Sequence, residues 1–249
     1  MKAMILAAGL GTRLRPLTDD RPKSLVAVAG RTLLEITLRR LQQFGVREVI
    51  VNVYHFADMI VEYLKKNDNF GMRIEISREE VLLDTGGGLK KAAWFFLQDS
   101  GRAEEPFLLH NVDVLSTIDL DCMVQFHRQN QALATLAVQE RETSRYLLFD
   151  ERGRLCGRRM GRDQPQEIVR PSQETQAMAF CGVHVVSPRL LAMMIEGGVF
   201  SIVTSYLRLA GEGAGILAFR ADQYYWRDLG RPENLTQAAE DVKQQVLRL

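Results

Sequence analysis

KAMILAAGLGTRLRP, residues 2–16, is the stretch on which the reading of the fold turns. Lys2 to Ala7 is a short apolar run that ends in small residues, the pattern of a buried strand entering a glycine loop. Ala7, Ala8, Gly9 and Gly11 let the backbone approach a ligand closely, and a concave row of amides at a strand end binds phosphate oxygens. Thr12 follows, and Arg13 supplies a planar guanidinium suited to bidentate phosphate contact. No G-x-x-x-x-G-K-S/T is present, so this is not a Walker loop. It half-matches a dinucleotide fingerprint, because Leu14 stands where the third glycine belongs.

Working outward, Leu34, Leu38 and Leu41 recur at helical spacing, which predicts a helix over 32–44 with Gly45 as its C-cap. EVIVNVY, 48–54, is a β-branched strand. A helix over 57–66 and a strand over 72–77 follow. Glycines 86–88 open a helix over roughly 88–97, and PFLLHNVDV, 106–114, is an apolar strand closing on a polar tip. This β-α-β-α-β order argues for a mostly parallel sheet with helices on both faces. Beyond residue 131 shorter strands dominate: ALATLAVQE, YLLFD, GRLCG, AFCGVHVVS and GILAFR. Ser187-Pro188 starts a helix with Ser as cap, 201–210 is another, and 231–247 is a final amphipathic helix. Residues 157–176 are long and polar, a loop or lid. No repeat or linker divides the chain, so 1–249 is read as one domain.

The 249 residues carry 32 basic and 31 acidic side chains, hence +1, which excludes a strongly basic nucleic-acid binder. No apolar run approaches the length of a membrane span, and the N-terminus lacks a signal-peptide layout. Cys122, Cys156 and Cys181 are far apart with no metal or redox spacing. A reduced, cytoplasmic protein is expected. There is no H-E-x-x-H and no G-x-S-x-G.

The glycine loop continues into Arg21-Pro22-Lys23-Ser24-Leu25, and residues 7–34 together resemble the signature of the sugar-1-phosphate nucleotidyltransferases, or nucleotide-sugar pyrophosphorylases. The resemblance spans nearly the whole chain. It implies an α/β, Rossmann-like nucleotidyltransferase fold. Residues 1–130 would serve the nucleotide, a smaller mixed β half (131–230) the sugar phosphate, and 231–249 would be the C-terminal helix. The loop Ala7–Arg13 would wrap the nucleoside triphosphate, Arg13 stabilising pyrophosphate and Lys23 the α-phosphate. Asp84, Gly86 and Gly87 lie in LDTGGGL, which resembles the segment beside base and sugar, and the helix start there would favour anions. Asp113 in Asn111-Val112-Asp113 and Asp228 in Tyr225-Trp226-Arg227-Asp228-Leu229-Gly230 would hold Mg²⁺, a cation suited to hard oxygen ligands. Asn111, Gly182 and Trp226 would contact the sugar phosphate, and Cys181 and His184 would be packing residues.

The chain departs from the family at Glu167-Ile168-Val169-Arg170-Pro171, where many members carry E-K-P. Either Arg170 replaces that lysine as a phosphate binder, or the segments do not correspond. The short muramate, mannose and heptose 1-phosphate enzymes are similar in length and style. The substrates implied are an NTP (UTP or GTP) and a sugar 1-phosphate, with no nucleic acid or membrane partner and a monomer or homodimer. A cytidylyltransferase for a phosphoalcohol such as phosphocholine, and a catalytically silent regulatory subunit, remain as alternatives.

Overall fold

The computed structural model describes residues 1–98, 101, 104–161 and 164–247. β1 (Lys2–Leu6) leads into the glycine loop, 3₁₀ turns at Thr12–Leu14 and Lys23–Leu25, and a small ribbon of β2 (Ala27–Val28) and β3 (Arg31–Thr32). Then α1 (Leu33–Gln43), β4 (Glu48–Val53), α2 (Ala57–Lys66) and β5 (Arg73–Arg78) alternate. The boundaries of α1 are written locally. The Thr32 side chain accepts from Glu35 N. At the other end Gly45 N donates to Gln42 O and Val46 N to Leu41 O, a pairing that needs the left-handed conformation Gly45 adopts at φ 74°.

Next come α3 (Asp84–Lys91), α4 (Ala93–Leu97), β6 (Phe107–Asn111), β7 (Val114–Ser116), α5 (Leu120–Gln129), β8 (Ala134–Gln139), β9 (Arg145–Phe149) and β10 (Leu155–Met160). They are followed by β11 (Gln166–Ile168), β12 (Gln176–Val186), α6 (Arg189–Met193), α7 (Ile202–Gly211), β13 (Ile216–Arg220), β14 (Trp226–Asp228) and α8 (Pro232–Lys243).

Among the described residues ten strands share one sheet, with the main path β11-β10-β9-β12-β6-β1-β4-β5; β8 joins β12 and β13 joins β8. β6, β1, β4 and β5 are parallel. β12 enters antiparallel to β6 and pairs antiparallel with β8 and β9, so the second half is mixed. Successive strand residues face opposite sides. Ala3 and Ile5 pack with the apolar faces of α1, α2, α5 and α8, while Met4 and Leu6 pack with those of α3, α4, α6 and α7. Covering both faces is what buries β1 along its whole length.

Several boundaries differ from the sequence reading. α3 starts at Asp84, so the three glycines lie inside it. A Cβ on Gly86 would strike the Phe200 ring at 2.4 Å, on Gly87 the Gly198 carbonyl at 2.6 Å, and on Gly88 the Asn52 amide at 2.8 Å. These are long-range approaches that local spacing does not encode. Residues 157–176 fold in part as the β10–β11 hairpin; positions 162–163 of that segment lie outside the described residues. The final helix stops at Lys243, and residues 248–249 also lie outside them. Ser187 does not cap α6, since its hydroxyl accepts from Arg189 Nε. The sequence reading assigned nothing to α5, although Leu120, Met123, Val124 and His127 bury one helical stripe and Asp119 caps it.

Candidate active site

Parallel pairing sets the carboxyl ends of three strands side by side: Leu6 lies opposite Asn52 on β4 and Asn111 on β6. From β1 the chain moves one way to β4 and β5, then returns to place β6 on the other side. The loops leaving β1 and β6 therefore diverge and open a crevice, the place where ligands bind in such sheets. A cavity of about 350 Å³ occupies it, lined by Ala8, Gly9, Lys23, Asp84, Asn111 and Asp113 among others. It adjoins a second hollow bounded by Arg13, Gly182, Trp226 and Asp228 that shares Asn111 and Asp113.

Lys23 Nζ donates to Asp113 Oδ2 at 2.7 Å, with the two side chains 14% and 13% exposed. Water screens such a pair less than a surface ion pair. Asp228 reaches the same place because β7, which follows Asp113, pairs antiparallel with β14 and sets Val114 opposite Asp228. Leu229 N donates to Asp113 O at 2.7 Å and locks the two turns together. Asp228 Oδ1 accepts from Gly230 N at 2.6 Å, and its Oδ2 lies 3.8 Å from the Arg13 guanidinium. Each of the two carboxylates thus faces one cation. Among the described residues no group of three or more His, Cys, Asp or Glu forms a metal cage. Two hard carboxylates beside the glycine loop fit Mg²⁺, a cation that does not need an all-protein cage.

The start of the glycine loop is held from beneath. Asn52 Oδ1 accepts from Ala7 N at 2.8 Å, and Asn52 Nδ2 donates to Glu79 Oε1 at 2.7 Å. Glu79 Oε2 accepts from Leu83 N at 2.9 Å. This buried chain ties β1 to the approach of α3. It also means that the Ala7 amide is already bonded. Sequence reasoning missed Asn52 and Glu79; the one signal was an amide near the end of an otherwise apolar strand.

The start of α3 is not the open anion site expected. The amides of Gly86 and Gly87 both donate to Phe200 O, at 2.9 and 3.2 Å, and Thr85 N donates to Asp84 Oδ1 at 2.6 Å. Gly86 and Gly87 are buried, whereas Asp84 and Thr85 line the cleft.

On the far side, Gly182 sits at φ 72°, where the pairing of β12 with β8 shifts register between Phe180 and His184. A Cβ there would lie 2.7 Å from Asn111 Nδ2. Trp226 Nε1 donates to Cys181 O at 2.8 Å. The Arg141 guanidinium lies over the Trp226 ring at 3.7 Å and donates to Phe180 O at 2.9 Å; burial lowers its pKa. Arg141 and Arg145 both line this hollow and belong to no motif. Cys181 and His184 are packing residues. Burial pushes the Cys181 thiol up to about 12, and His184 Nδ1 lies 2.8 Å from the Tyr206 hydroxyl.

Arg170 is elsewhere. Its Nε donates to Ala210 O at 3.1 Å and its Nη2 to Ala214 O at 2.8 Å. It is a cation over the carbonyl end of α7, where the helix dipole favours positive charge. The expectation that it replaces the phosphate-binding lysine is corrected.

A glycine loop, paired cations and two carboxylates at the divergence of parallel strands are the equipment of an α/β enzyme that handles phosphorylated nucleotides. The family model for nucleotidyl transferases matches residues 2–245, and the chain belongs to that family. The N-acetylmuramate alpha-1-phosphate uridylyltransferase of Caulobacter vibrioides is 33% identical over 244 residues, covering 93% of this chain and 92% of that protein. The UTP–glucose-1-phosphate uridylyltransferase of Synechocystis sp. is 29% identical over 97% of this chain, which spans 63% of that longer protein. Among solved structures, HddC from Yersinia pseudotuberculosis complexed with GMP-PN superposes with a TM-score of 0.75 at 22% identity, covering 97% of this chain and 99% of that one. A putative glucose-1-phosphate thymidylyltransferase from Bacillus anthracis gives 0.81 at 15% identity, covering 100% and 97%; at these identities the likeness is one of fold. The expected family, fold class and enzyme class all hold. Among the described residues no helix is long and apolar enough to cross a membrane.

Proposed function

We propose that this chain transfers a nucleoside monophosphate from UTP or GTP to a sugar 1-phosphate, releasing pyrophosphate. The observation that carries this reading is the Lys23–Asp113 pair, seated between the glycine loop and the β6 turn with Arg13 and Asp228 alongside. A sugar phosphate oxygen, already ionised near neutral pH, attacks the α-phosphorus in line, so no protein nucleophile is needed. The protein contributes position and charge. Amides of Ala8, Gly9, Gly11 and Thr12 cradle the triphosphate. Arg13 neutralises the departing pyrophosphate. Lys23 turns from Asp113 to the α-phosphate as charge builds there. Asp113 and Asp228 would hold Mg²⁺, which when bound neutralises and aligns phosphate oxygens.

Asp84 lies beside the nucleotide. Gly182, Asn111, Trp226 and Arg141 surround the sugar phosphate. Residues 1–130 serve mainly the nucleotide and 131–230 the acceptor, within one domain closed by α8. Three unpaired cysteines support a reducing, cytoplasmic setting, and the near-neutral charge supports small-molecule substrates acting on a monomer or homodimer. The test is a pyrophosphate-release screen crossing five NTPs with sugar 1-phosphates and phosphocholine, with Mg²⁺ and with EDTA. One productive sugar phosphate pair, silenced by EDTA and restored by Mg²⁺, is expected. Activity with phosphocholine alone, or nucleotide binding without turnover, overturns the reading.

A further inference from the structure

Asp228 ends a strand of only three residues, and among the described residues the one strand that pairs with β14 is β7, also of three. A two-stranded ribbon of that size is marginal by itself, yet it carries one of the two cleft carboxylates. What fixes the direction of Asp228 therefore lies behind the ribbon. Successive strand residues face opposite sides. Trp226 and Asp228 line the cleft, while Tyr225 and Arg227 turn the other way, onto α8.

Leu235, Ala238 and Asp241 form the buried stripe of α8. Two of them are apolar; the third is a carboxylate. A charge in such a stripe is costly unless it is fully paired, and Asp241 is. Its Oδ2 accepts from the Tyr225 hydroxyl at 2.6 Å and from Arg227 Nη2 at 3.0 Å. Its Oδ1 accepts from Gln237 Nε2 at 3.0 Å. Arg227 Nε donates to the same Tyr225 hydroxyl at 2.9 Å, so Asp241, Tyr225 and Arg227 close a ring. A second tie comes from the first turn of α8, where Asn234 Nδ2 donates to the backbone carbonyl of Asp228 at 2.6 Å.

A buried charged cluster adds little net stability over an apolar one of the same volume, but its bonds are directional and can fix register. Register is what β14 needs. A slip of one residue would turn Asp228 onto α8 and bring Arg227 into the cleft, a cation where a carboxylate stands. The Asp241 ring opposes that slip by holding both back-facing side chains, and Asn234 opposes it by holding the Asp228 carbonyl.

We propose that Asp241 and Asn234 of α8 are positioning residues for Asp228: through β14 they hold its carboxylate beside Asp113 in the cleft. This rests on the reading of Asp113 and Asp228 as the carboxylates that would hold Mg²⁺ in nucleotidyl transfer. Neither residue touches the cleft itself, and α8 thereby becomes part of the catalytic apparatus rather than a cover for the sheet.

The test uses the whole chain and three variants: Asp241→Asn, which keeps the shape and removes the charge, Asn234→Ala, and Tyr225→Phe, which removes one hydroxyl. Tyr225→Phe carries the ring's part of the test if Asp241→Asn does not fold. Pyrophosphate release gives kcat and both KM values with the most productive NTP and sugar 1-phosphate. Binding of Mn²⁺, as the probe, is followed by electron paramagnetic resonance with the α,β-methylene analogue of that NTP present. Each substitution is expected to lower kcat and to weaken Mn²⁺ binding by about tenfold, with both KM values held within about threefold. In an Asp228→Asn background the same substitutions should lower kcat by less than about twofold, because the group they orient is gone. Equal losses of kcat in both backgrounds mean general support of the fold and overturn the proposal. So does Mn²⁺ binding that none of the three alters. A wild-type chain that releases pyrophosphate without metal, or releases none, overturns instead the reading on which the proposal rests.

Discussion

Lys23 and Asp113, 90 residues apart in sequence, meet at 2.7 Å in the cleft. The ammonium neutralises a carboxylate that the turn after β6 sets in the cleft, and each holds the other in place. Asp113→Asn is expected to lower kcat by about 100-fold or more while the fold survives. Lys23→Met leaves a carboxylate without its cation and should cost about 1–3 kcal/mol in urea unfolding. It should cost less in the Asp113→Asn background. Near-normal turnover of Asp113→Asn refutes its role, and additive stability losses refute the coupling.

Asn52 is the bracket of the glycine loop. Asn52→Ala strands the Ala7 amide and leaves the Glu79 carboxylate with one partner fewer, both out of water. A loss of about 2–4 kcal/mol is expected, with a higher KM for nucleotide. An unchanged nucleotide KM in a folded variant shows that the loop does not depend on this bracket.

Gly182→Ala asks an L-residue to hold φ 72° with its Cβ 2.7 Å from Asn111 Nδ2. Strain of about 1–3 kcal/mol is expected, together with a rise in acceptor KM as Asn111 is displaced. A variant with wild-type stability and acceptor KM removes Gly182 from the site.

Arg170→Ala separates capping from substrate binding. It should lower stability by up to about 2 kcal/mol by baring the carbonyls at the end of α7, with kcat/KM for the sugar phosphate unchanged. A large loss of acceptor affinity without loss of stability restores the phosphate role that the structure denies it.

Burial lowers the pKa of His110 and His127 to about 4 and of His184 to about 3, against 6.5. As pH falls below about 6.5 the unfolded chain takes up protons that the folded one refuses. Stability is therefore fully present above that pH and is lost as the pH falls toward 4. Each histidine contributes a slope of up to about 1.4 kcal/mol per pH unit. Urea unfolding at pH 7, 6 and 5 should show the decline, and His127→Gln should remove about a third of the slope. A flat profile across that range refutes it.

The reach of the sequence follows the range of the forces involved. β1, α1 with its Gly45 stop, β4 and α2 were legible because apolar period, caps and turn residues act over a few neighbours. The positions of Arg13, Lys23, Asp113 and Asp228 were legible through the resemblance to the sugar-1-phosphate nucleotidyltransferases, since each falls in a segment that matches a motif of that family. Their meeting was not: it needs β1 to pair with both β4 and β6, and β7 to pair with β14. The same gap hid Asn52, Glu79, Arg141 and Arg145, which stand in no motif and gain their roles from neighbours tens of residues away. It also misplaced Arg170, whose partners are carbonyls 40 and 44 residues on, and it missed that the amides of Gly86 and Gly87 are taken by Phe200. The sequence by itself determined the parallel α/β core and the glycine loop at the end of β1, through local spacing and backbone freedom. Only the tertiary structure decided which amides stay free and which charges share the cleft, because both depend on long-range pairing.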